Sequence, residues 1–373
     1  AIDSSMEGYK AGFALAANVE SEKTLPAGST EGVERWGFSG NEAAGLGGLK
    51  GGVRFVAAYP ITPATEVLEW LAPNLEKVGG TLVQAEDELA SIVQIIGGSF
   101  GGTPSMTATS GPGLALMMEA MGLAVASETP IVVVNVQRGG PSTGIPTKSE
   151  QSDLNIALHG LHGDAPHIVT APNSIADCLF TTQWSVFLAE RLQTAAIVLS
   201  DQALGQSRVV CDKPADLAFI AKRDVVEANV ENYERYAVTA SGVSPMAIPG
   251  TPGGEYVADG LEHAPNARPS SAAEDHIEQL DKRERKLAQF DYGNHWADLE
   301  GEGEMAVITW GSTTAPVREA IERAEAKGMK IRLISMRLLM PMQTEKFAVG
   351  NQGVTKALVI EHTNSKQFFE YFR

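Results

Sequence analysis

The 373-residue chain is long for one ordinary domain and comfortable for two, and 43% hydrophobic against 20% charged residues argues against a disordered polymer. A formal net charge of −17 argues against a nucleic-acid partner, which needs clustered positive charge to displace counterions. The two cysteines, Cys178 and Cys211, stand far apart with no CxxC, which argues against a disulfide framework or a cysteine-held metal or iron–sulfur cluster and fits a reducing cytoplasm.

Residues 1–40 read as a stub: a short helix, then the polar connection "ESEKTLPAGSTEG". "AIDSSMEGYK" lacks the basic start and apolar core of a secretory signal. The longest apolar run, "GLALMMEAMGLAVAS", contains Glu119 and is too short to span a bilayer, so no membrane partner is expected. A start at Ala1 and an end at "FFEYFR" suggest a piece of something longer.

Strand-like and helix-like patterns then alternate. The strands are "VRFVAA", "TLVQAE", "SMTATS", "PIVVVNVQ", "HIVTAP" and "AAIVLSD", with helical patterns near 63–76, 88–100, 112–127 and 174–191. Near-continuous apolar strands with crossover helices predict an α/β domain with a mostly parallel sheet over 41–215. Over 216–300 the pattern degrades into an irregular connecting segment rich in Gly, Pro and Ser, ending in the charged helix "AAEDHIEQLDKRERKLAQF", expected to be solvated or a strut. Residues 301–373 predict a second, smaller α/β unit from "MAVITWG", the helix "STTAPVREAIERAEAKG", "KIRLISM" and "KALVIEH".

Ligands of open parallel sheets bind beyond the carboxyl ends of the strands. Four strand ends here are unusual: Tyr59-Pro60-Ile61-Thr62-Pro63, then Glu86 in "QAEDELA", then "TSGPG" from Thr109 to Gly113, then Arg138 in "QRGGPSTGIPT". Each alone has a plain reading. Thr62 suits a helix cap, Glu86 a carboxylate favoured by a helix dipole, "TSGPG" a tight turn, and Arg138 a surface arginine. Falling together at successive strand ends, they argue for one crevice. The run "HGLHGDAPH" carries His159, His162 and His167, and reads as a hydrogen-bonding loop rather than a metal site.

Glu86 followed by a small-residue helix and "TSGPG" resembles the pyrimidine-binding domains of thiamine diphosphate enzymes. More specifically, "YPITP", "TSGPG", "QRGGPSTGIPTKSEQSDL", "SGVSPMAIPG" and "GLEH" resemble the alpha subunit of 2-oxoacid:ferredoxin oxidoreductases of the 2-oxoglutarate type, over roughly residues 39–373. The resemblance implies a pyrimidine-type domain over 41–215 and a truncated transketolase C-terminal-like domain over 301–373. It implies coenzyme A-dependent oxidative decarboxylation of 2-oxoglutarate, or its carbon dioxide-fixing reverse. Glu86, with its pKa raised by burial, would bond the aminopyrimidine ring nitrogen. Tyr59, Pro60, Ile61, Ser110, Gly111 and Pro112 would line the cofactor. Thr62 and Arg138 would meet the 2-oxoacid; Ser142, Thr143, Thr147 and Lys148 would serve its distal carboxylate, and His162 would make a further contact. The diphosphate, its Mg2+ and a [4Fe–4S] cluster would sit on a beta subunit in an (alpha-beta)2 assembly with ferredoxin as acceptor. Many relatives of this kind carry a gamma-type domain where this chain has a stub. Other readings are the same chemistry on pyruvate or another 2-oxoacid, and a non-catalytic assembly subunit. A flavodoxin-like nucleotide module ranks below these, because no GxGxxG or GxxxxGK[ST] opens a helix.

Overall fold

The computed structural model describes residues 2–19 and 34–373, and the polar connection "ESEKTLPAGSTEG" lies outside them. Helix α1 (Ile2–Ala16) buries none of its residues. Strand β1 (Arg35–Ser39) runs into α2 (Gly40–Gly51), whose start is closed by a capping box: the Ser39 hydroxyl accepts from the Glu42 amide, and the Glu42 carboxylate accepts from the Ser39 amide. Nothing in the glycine-rich "GNEAAGLGGLKG" announces a helix. It forms because neighbours approach where side chains would stand. A Cβ on Gly47 would sit 2.3 Å from the Leu179 carbonyl oxygen, and one on Gly40 would sit 2.2 Å from that of Leu204.

The predicted alternation follows in β2 (Phe55–Ala58), α3 (Thr65–Leu75), β3 (Thr81–Gln84), α4 (Glu88–Phe100), β4 (Ser105–Thr109), α5 (Gly111–Ala126) and β5 (Ile131–Gln137). Next come α6 (Leu154–His159), β6 (Ile168–Thr170), α7 (Asp177–Leu192), β7 (Ala195–Asp201), the short α8 (Gln202–Gln206) and β8 (Arg208–Asp212). After an irregular stretch, α9 (Ala273–Ala288) leads to β9 (Ala297–Glu300), β10 (Met305–Trp310), α10 (Thr314–Glu325) and β11 (Ile331–Met336). The chain closes with β12 (Leu338–Met340), α11 (Thr344–Gly350), β13 (Lys356–Val359) and α12 (Gln367–Tyr371). No helix among the described residues is long and apolar enough to cross a membrane.

The main sheet has the order β12-β6-β7-β5-β4-β2-β3 and is parallel except for β12. Its central strands β4, β5 and β7 are buried at every residue, which is why they read as unbroken apolar runs. The chain moves from β2 outward to β3 and then returns to the other flank of β2 at β4. In open sheets such a reversal marks where ligand crevices form, here beyond the carboxyl ends of β2 and β4.

A second sheet, β13-β10-β11-β9, is parallel apart from β9. The strand after β11 leaves it, because β12 pairs with β6 in the main sheet. At the crossing Arg337 is pinned between Asp177 (3.0 Å) and Asp298 (2.8 Å). Gln151 ties the sheets together from the other side. Its side-chain amide donates to the Trp310 carbonyl (2.8 Å), while its backbone N–H and side-chain oxygen both bond His362.

Helix α9, expected to be solvated or a strut, is not solvated, for it buries Gln279, Lys282, Arg283, Lys286 and Leu287. The Glu128 carboxylate, fully buried just past α5, accepts from Lys282 (2.8 Å) and lies 3.4 Å from Lys286. Buried Arg235 donates to the Glu128 carbonyl (2.8 Å). Lysines in a charged run look solvated by composition; here their charges are met inside.

Glu128→Gln strands two buried lysines without their counter-charge, so it is expected to cost about 3–5 kcal/mol in urea unfolding. Burial alone would raise the Glu128 pKa, but the charges of Lys286, Lys282 and Arg235 prevail and hold it at about 2, below the ordinary 4.5. Between those values the unfolded chain binds a proton that the folded chain does not. The stabilisation from this carboxylate is therefore complete above pH 4.5 and lost as the pH falls toward 2. A Tm-against-pH slope over that range no steeper in the wild type than in Glu128→Gln would overturn this account.

Candidate active site

At the end of β2 the chain turns through Tyr59, Pro60, Ile61 and Thr62. The Ile61 carbonyl accepts from the Ala64 (2.7 Å) and Thr65 (3.1 Å) amides, so α3 is started by backbone rather than by a side-chain cap. Thr62 is thereby left exposed and is not the cap of that helix, Tyr59 is exposed, and Pro60 and Ile61 are half-buried. The turn is braced from behind. Buried Asn41 on α2 donates to the Pro63 carbonyl and to a Glu66 carboxylate oxygen, both at 2.8 Å. Sequence reading passed over Asn41, because a polar residue among glycines carries no periodic signal.

At the end of β3 the structure corrects the expected buried carboxylate. Glu86 is exposed, whereas Glu88 is 7% exposed. The intervening Asp87 is the cap of α4, its carboxylate accepting from the Ala90 amide at 2.7 Å. Capping at residue 87 leaves residue 86 on the solvent-facing approach and turns residue 88 inward at the first helical position. The Glu88 carboxylate then lies against the first turn of α5. A Cβ on Gly113 would stand 2.7 Å from Glu88 Oε1 and 2.1 Å from Thr109 Oγ1.

That turn holds Ser110, Gly111 and Pro112. Pro112 suits a first turn, where a missing N–H costs nothing. Ser110 occupies the cap position without capping, and its fully buried Oγ has no hydrogen-bond partner among the described residues. Arg138, 6% exposed beyond β5, reaches across to donate to the Thr62 carbonyl at 2.5 Å. Its buried Nε has no partner among the described residues. Burial pushes the Arg138 pKa down, opposed by the charges of Asp153 and Glu88.

The loop after Arg138 arches outward. Ser142, Thr143, Thr147 and Lys148 are all exposed on it, and the arch is closed by Gly139 pairing with Ile145 and by the Gly139 amide donating to the Lys148 carbonyl (3.0 Å). His162 does not join the crevice. It is exposed in a groove with Ala126 and Arg283 at the carboxyl end of α5, about 24 Å of helix away from Gly111. His167 is buried, its ring nitrogens 2.8 and 2.6 Å from the Ala165 and Ala157 carbonyl oxygens, and burial lowers its pKa. The crevice therefore unites the Thr62 carbonyl, Ser110, Gly111, Pro112 and Arg138, and adds Glu88 and Asp153. Its buried side-chain groups are the carboxylate of Glu88, the hydroxyl of Ser110 and the guanidinium of Arg138.

Residues 47–282 match the family described as pyruvate flavodoxin/ferredoxin oxidoreductase, thiamine diphosphate-binding. The 2-oxoglutarate synthase subunit KorA of Methanothermobacter thermautotrophicus is 34% identical over 91% of this chain and 91% of its own length. The 2-oxoglutarate oxidoreductase subunit KorA of Mycobacterium tuberculosis is 38% identical over 85% of this chain but 49% of its own. A solved 2-oxoglutarate:ferredoxin oxidoreductase from Magnetococcus marinus, with 2-oxoglutarate, coenzyme A and succinyl-CoA bound, superposes with a TM-score of 0.89 at 43% identity. That match covers 99% of this chain and 65% of the solved one, so about a third of the solved chain has no counterpart here. A split-gene transketolase shares the fold at 12% identity and a TM-score of 0.50.

The closeness at Gly113 is testable by itself. Gly113→Ala forces Thr109 or Glu88 to move and is expected to cost about 1–3 kcal/mol in denaturant unfolding. Gly122→Ala, on the same helix with nothing within 4 Å of the added carbon, is expected to leave stability unchanged or raise it by up to about 1 kcal/mol. Equal effects would mean that the first turn of α5 is not under this constraint.

Proposed function

This chain belongs to the family of 2-oxoacid:ferredoxin oxidoreductase alpha subunits, and from that premise we propose that it supplies the pyrimidine side of a thiamine diphosphate site in a complex that converts 2-oxoglutarate and coenzyme A to succinyl-CoA and carbon dioxide. The observation that carries the reading is the convergence of Glu88, Ser110 and Arg138 on the glycine-lined first turn of α5.

Residues present fit the cofactor. The side-chain space at Gly111 and Gly113 is taken by Asp153, Thr109 and Glu88, while Ser110 Oγ and Arg138 Nε are buried polar atoms with no partner among the described residues and can meet one on a ligand. When bound, thiamine diphosphate supplies a nucleophilic thiazolium carbon and the electron sink for decarboxylation. On this reading Glu88, in the place first expected of Glu86, holds a proton at the aminopyrimidine ring nitrogen, while Ser110, Gly111, Pro112, Pro60 and Ile61 bound the ring. Arg138 pairs with the 2-oxoacid's carboxylate through its free Nε–H, and the exposed Thr62 hydroxyl donates to the substrate. Ser142, Thr143, Thr147 and Lys148 serve the distal carboxylate once a partner subunit covers their arch. A beta subunit then carries the diphosphate, Mg2+ and a [4Fe–4S] cluster, ferredoxin takes the electrons, and the assembly is an (alpha-beta)2 complex of the cytoplasm. The transketolase-like unit over 301–373 serves assembly.

The test follows reduction of a low-potential dye by the complex purified under nitrogen. Reduction requiring both coenzyme A and 2-oxoglutarate is expected; reduction with pyruvate alone would overturn the substrate, and none with any 2-oxoacid would favour a non-catalytic subunit. Glu88→Gln is expected to cut turnover about 10²-fold or more, while Glu86→Gln stays near wild type. The reverse ranking would restore Glu86. Arg138→Ala is expected to cost about 2–5 kcal/mol in kcat/KM for the 2-oxoacid, and an unchanged value would remove Arg138 from the site.

A further inference from the structure

We propose that Glu150 is a positioning residue that determines specificity: it holds the arch beyond Arg138 in the shape that receives the distal carboxylate of a 2-oxoacid. The inference rests on the role given above to Ser142, Thr143, Thr147 and Lys148. The outgoing and returning limbs of the arch meet at Glu150. One of its carboxylate oxygens accepts from the Gly140 amide on the outgoing limb at 2.9 Å and from the Ser152 hydroxyl on the returning limb at 2.8 Å. Glu150 is half-buried, whereas the residues that it brackets, from Pro141 to Lys148, are exposed.

Other bonds fix the foot of the arch. The Gly139 carbonyl accepts from the Ile145 amide at 2.7 Å, and the Gly139 amide donates to the Lys148 carbonyl at 3.0 Å. Arg138, one residue earlier, is held separately by the Thr62 carbonyl. Both neighbours of Glu150 are anchored elsewhere: the Ser149 hydroxyl accepts from the Ala203 amide at 3.3 Å, and Gln151 reaches the Trp310 carbonyl of the second sheet. Gly144 is fixed by crowding, with φ of 58° and a Cβ that would stand 1.7 Å from the Gly139 carbonyl oxygen. These contacts leave the tip from Gly140 to Thr143 to be placed. Packing does not place it, since a Cβ on Gly140 would meet nothing within 4 Å. The bond to Glu150 therefore sets where Ser142 and Thr143 stand relative to Thr147 and Lys148.

Placement matters because donors that must be ordered when the ligand arrives lose part of their binding energy to that ordering. An ionised acceptor makes a stronger bond to an amide than a neutral one, which suits a loop where water competes for the same N–H. Both partners of Glu150 belong to the loop itself, so a negative charge here serves to build a site for a negative ligand. A 2-oxoacid of the same length that ends in a methyl group has nothing for these donors to hold, and its binding does not depend on the shape of the arch.

The test uses the full complex with coenzyme A and a low-potential dye, and compares 2-oxoglutarate as substrate with 2-oxopentanoate as a competitive inhibitor. Glu150→Ala is expected to lower kcat/KM for 2-oxoglutarate about tenfold, mostly through KM, while the inhibition constant of 2-oxopentanoate stays within about twofold. Glu150→Gln keeps an acceptor oxygen for Gly140 and Ser152 and is expected to stay within about threefold of the wild type. Equal losses for both acids would show a general structural role and overturn the proposal. So would an unchanged KM in Glu150→Ala, or Glu150→Gln behaving as badly as Glu150→Ala, which would make the charge and not the acceptor responsible. Should Glu150→Ala fail to assemble, Ser152→Ala frees the same oxygen from one partner and is expected to shift the same ratio about two- to threefold, with no shift overturning the proposal. Thr147→Val combined with Lys148→Met tests the underlying reading. If that pair leaves 2-oxoglutarate use unchanged, the arch does not serve the distal carboxylate and the reading falls with the proposal. If the pair impairs it and Glu150→Ala does not, the proposal alone falls.

Discussion

Two carboxylates press against one turn of helix, and neither would fit if that turn carried side chains. Glu88 faces Gly113 and Asp153 faces Gly111 at the start of α5, each within 2.8 Å of where a Cβ would be. A helix amino terminus is one of few buried places where negative charge is welcome, since its unpaired N–H groups and dipole offset part of the desolvation. Arg138, held to the Thr62 carbonyl across the crevice, completes the balance. The chemistry proposed here depends on that closeness, because a proton held at Glu88 and an anion held at Arg138 are useful only if both face the same ring.

The remainder of the fold keeps this turn in place from a distance. The carboxyl end of α5 runs into Glu128, locked by Lys282, Lys286 and Arg235, so the helix is pinned at both ends by buried charge. The loop that brings Asp153 home is fastened by Gln151 to Trp310 of the second sheet and to His362 beyond β13, and by Gln367 donating to the Ser152 carbonyl at 2.9 Å. Asn41 on α2 braces the turn that carries Thr62. The second sheet thus orders the first sheet's site without placing a side chain in it.

Much of the frame was legible in the chain. The buried strands β4, β5 and β7 announce themselves as apolar runs because parallel sheets covered on both faces admit nothing else. Helices α3, α4, α5 and α7 lie within a few residues of their sequence patterns. Helix α2 was not legible, since glycines form a helix only when neighbours stand too close for anything larger. Helix α9 was misjudged as solvated for a related reason: a lysine's sequence context does not say whether a carboxylate more than a hundred residues earlier will meet it.

The sequence by itself determined the fold class, the strand ends at which unusual side chains gather, and the residue types found there, because these follow from local periodicity and from motifs a few residues long. Tertiary structure alone decided which of the acids in "EDE" turns inward. Asp87 takes the helix cap, so Glu86 is left outside and Glu88 faces the crevice, a difference of two positions that no residue type reveals. It also decided that Asp153, distant in sequence, packs against the same turn of α5 as Glu88, and that His162 lies at the far end of the same helix. Residue chemistry is local, but burial and electrostatic partnership are properties of the packed chain, set only when distant segments exclude water from the same space.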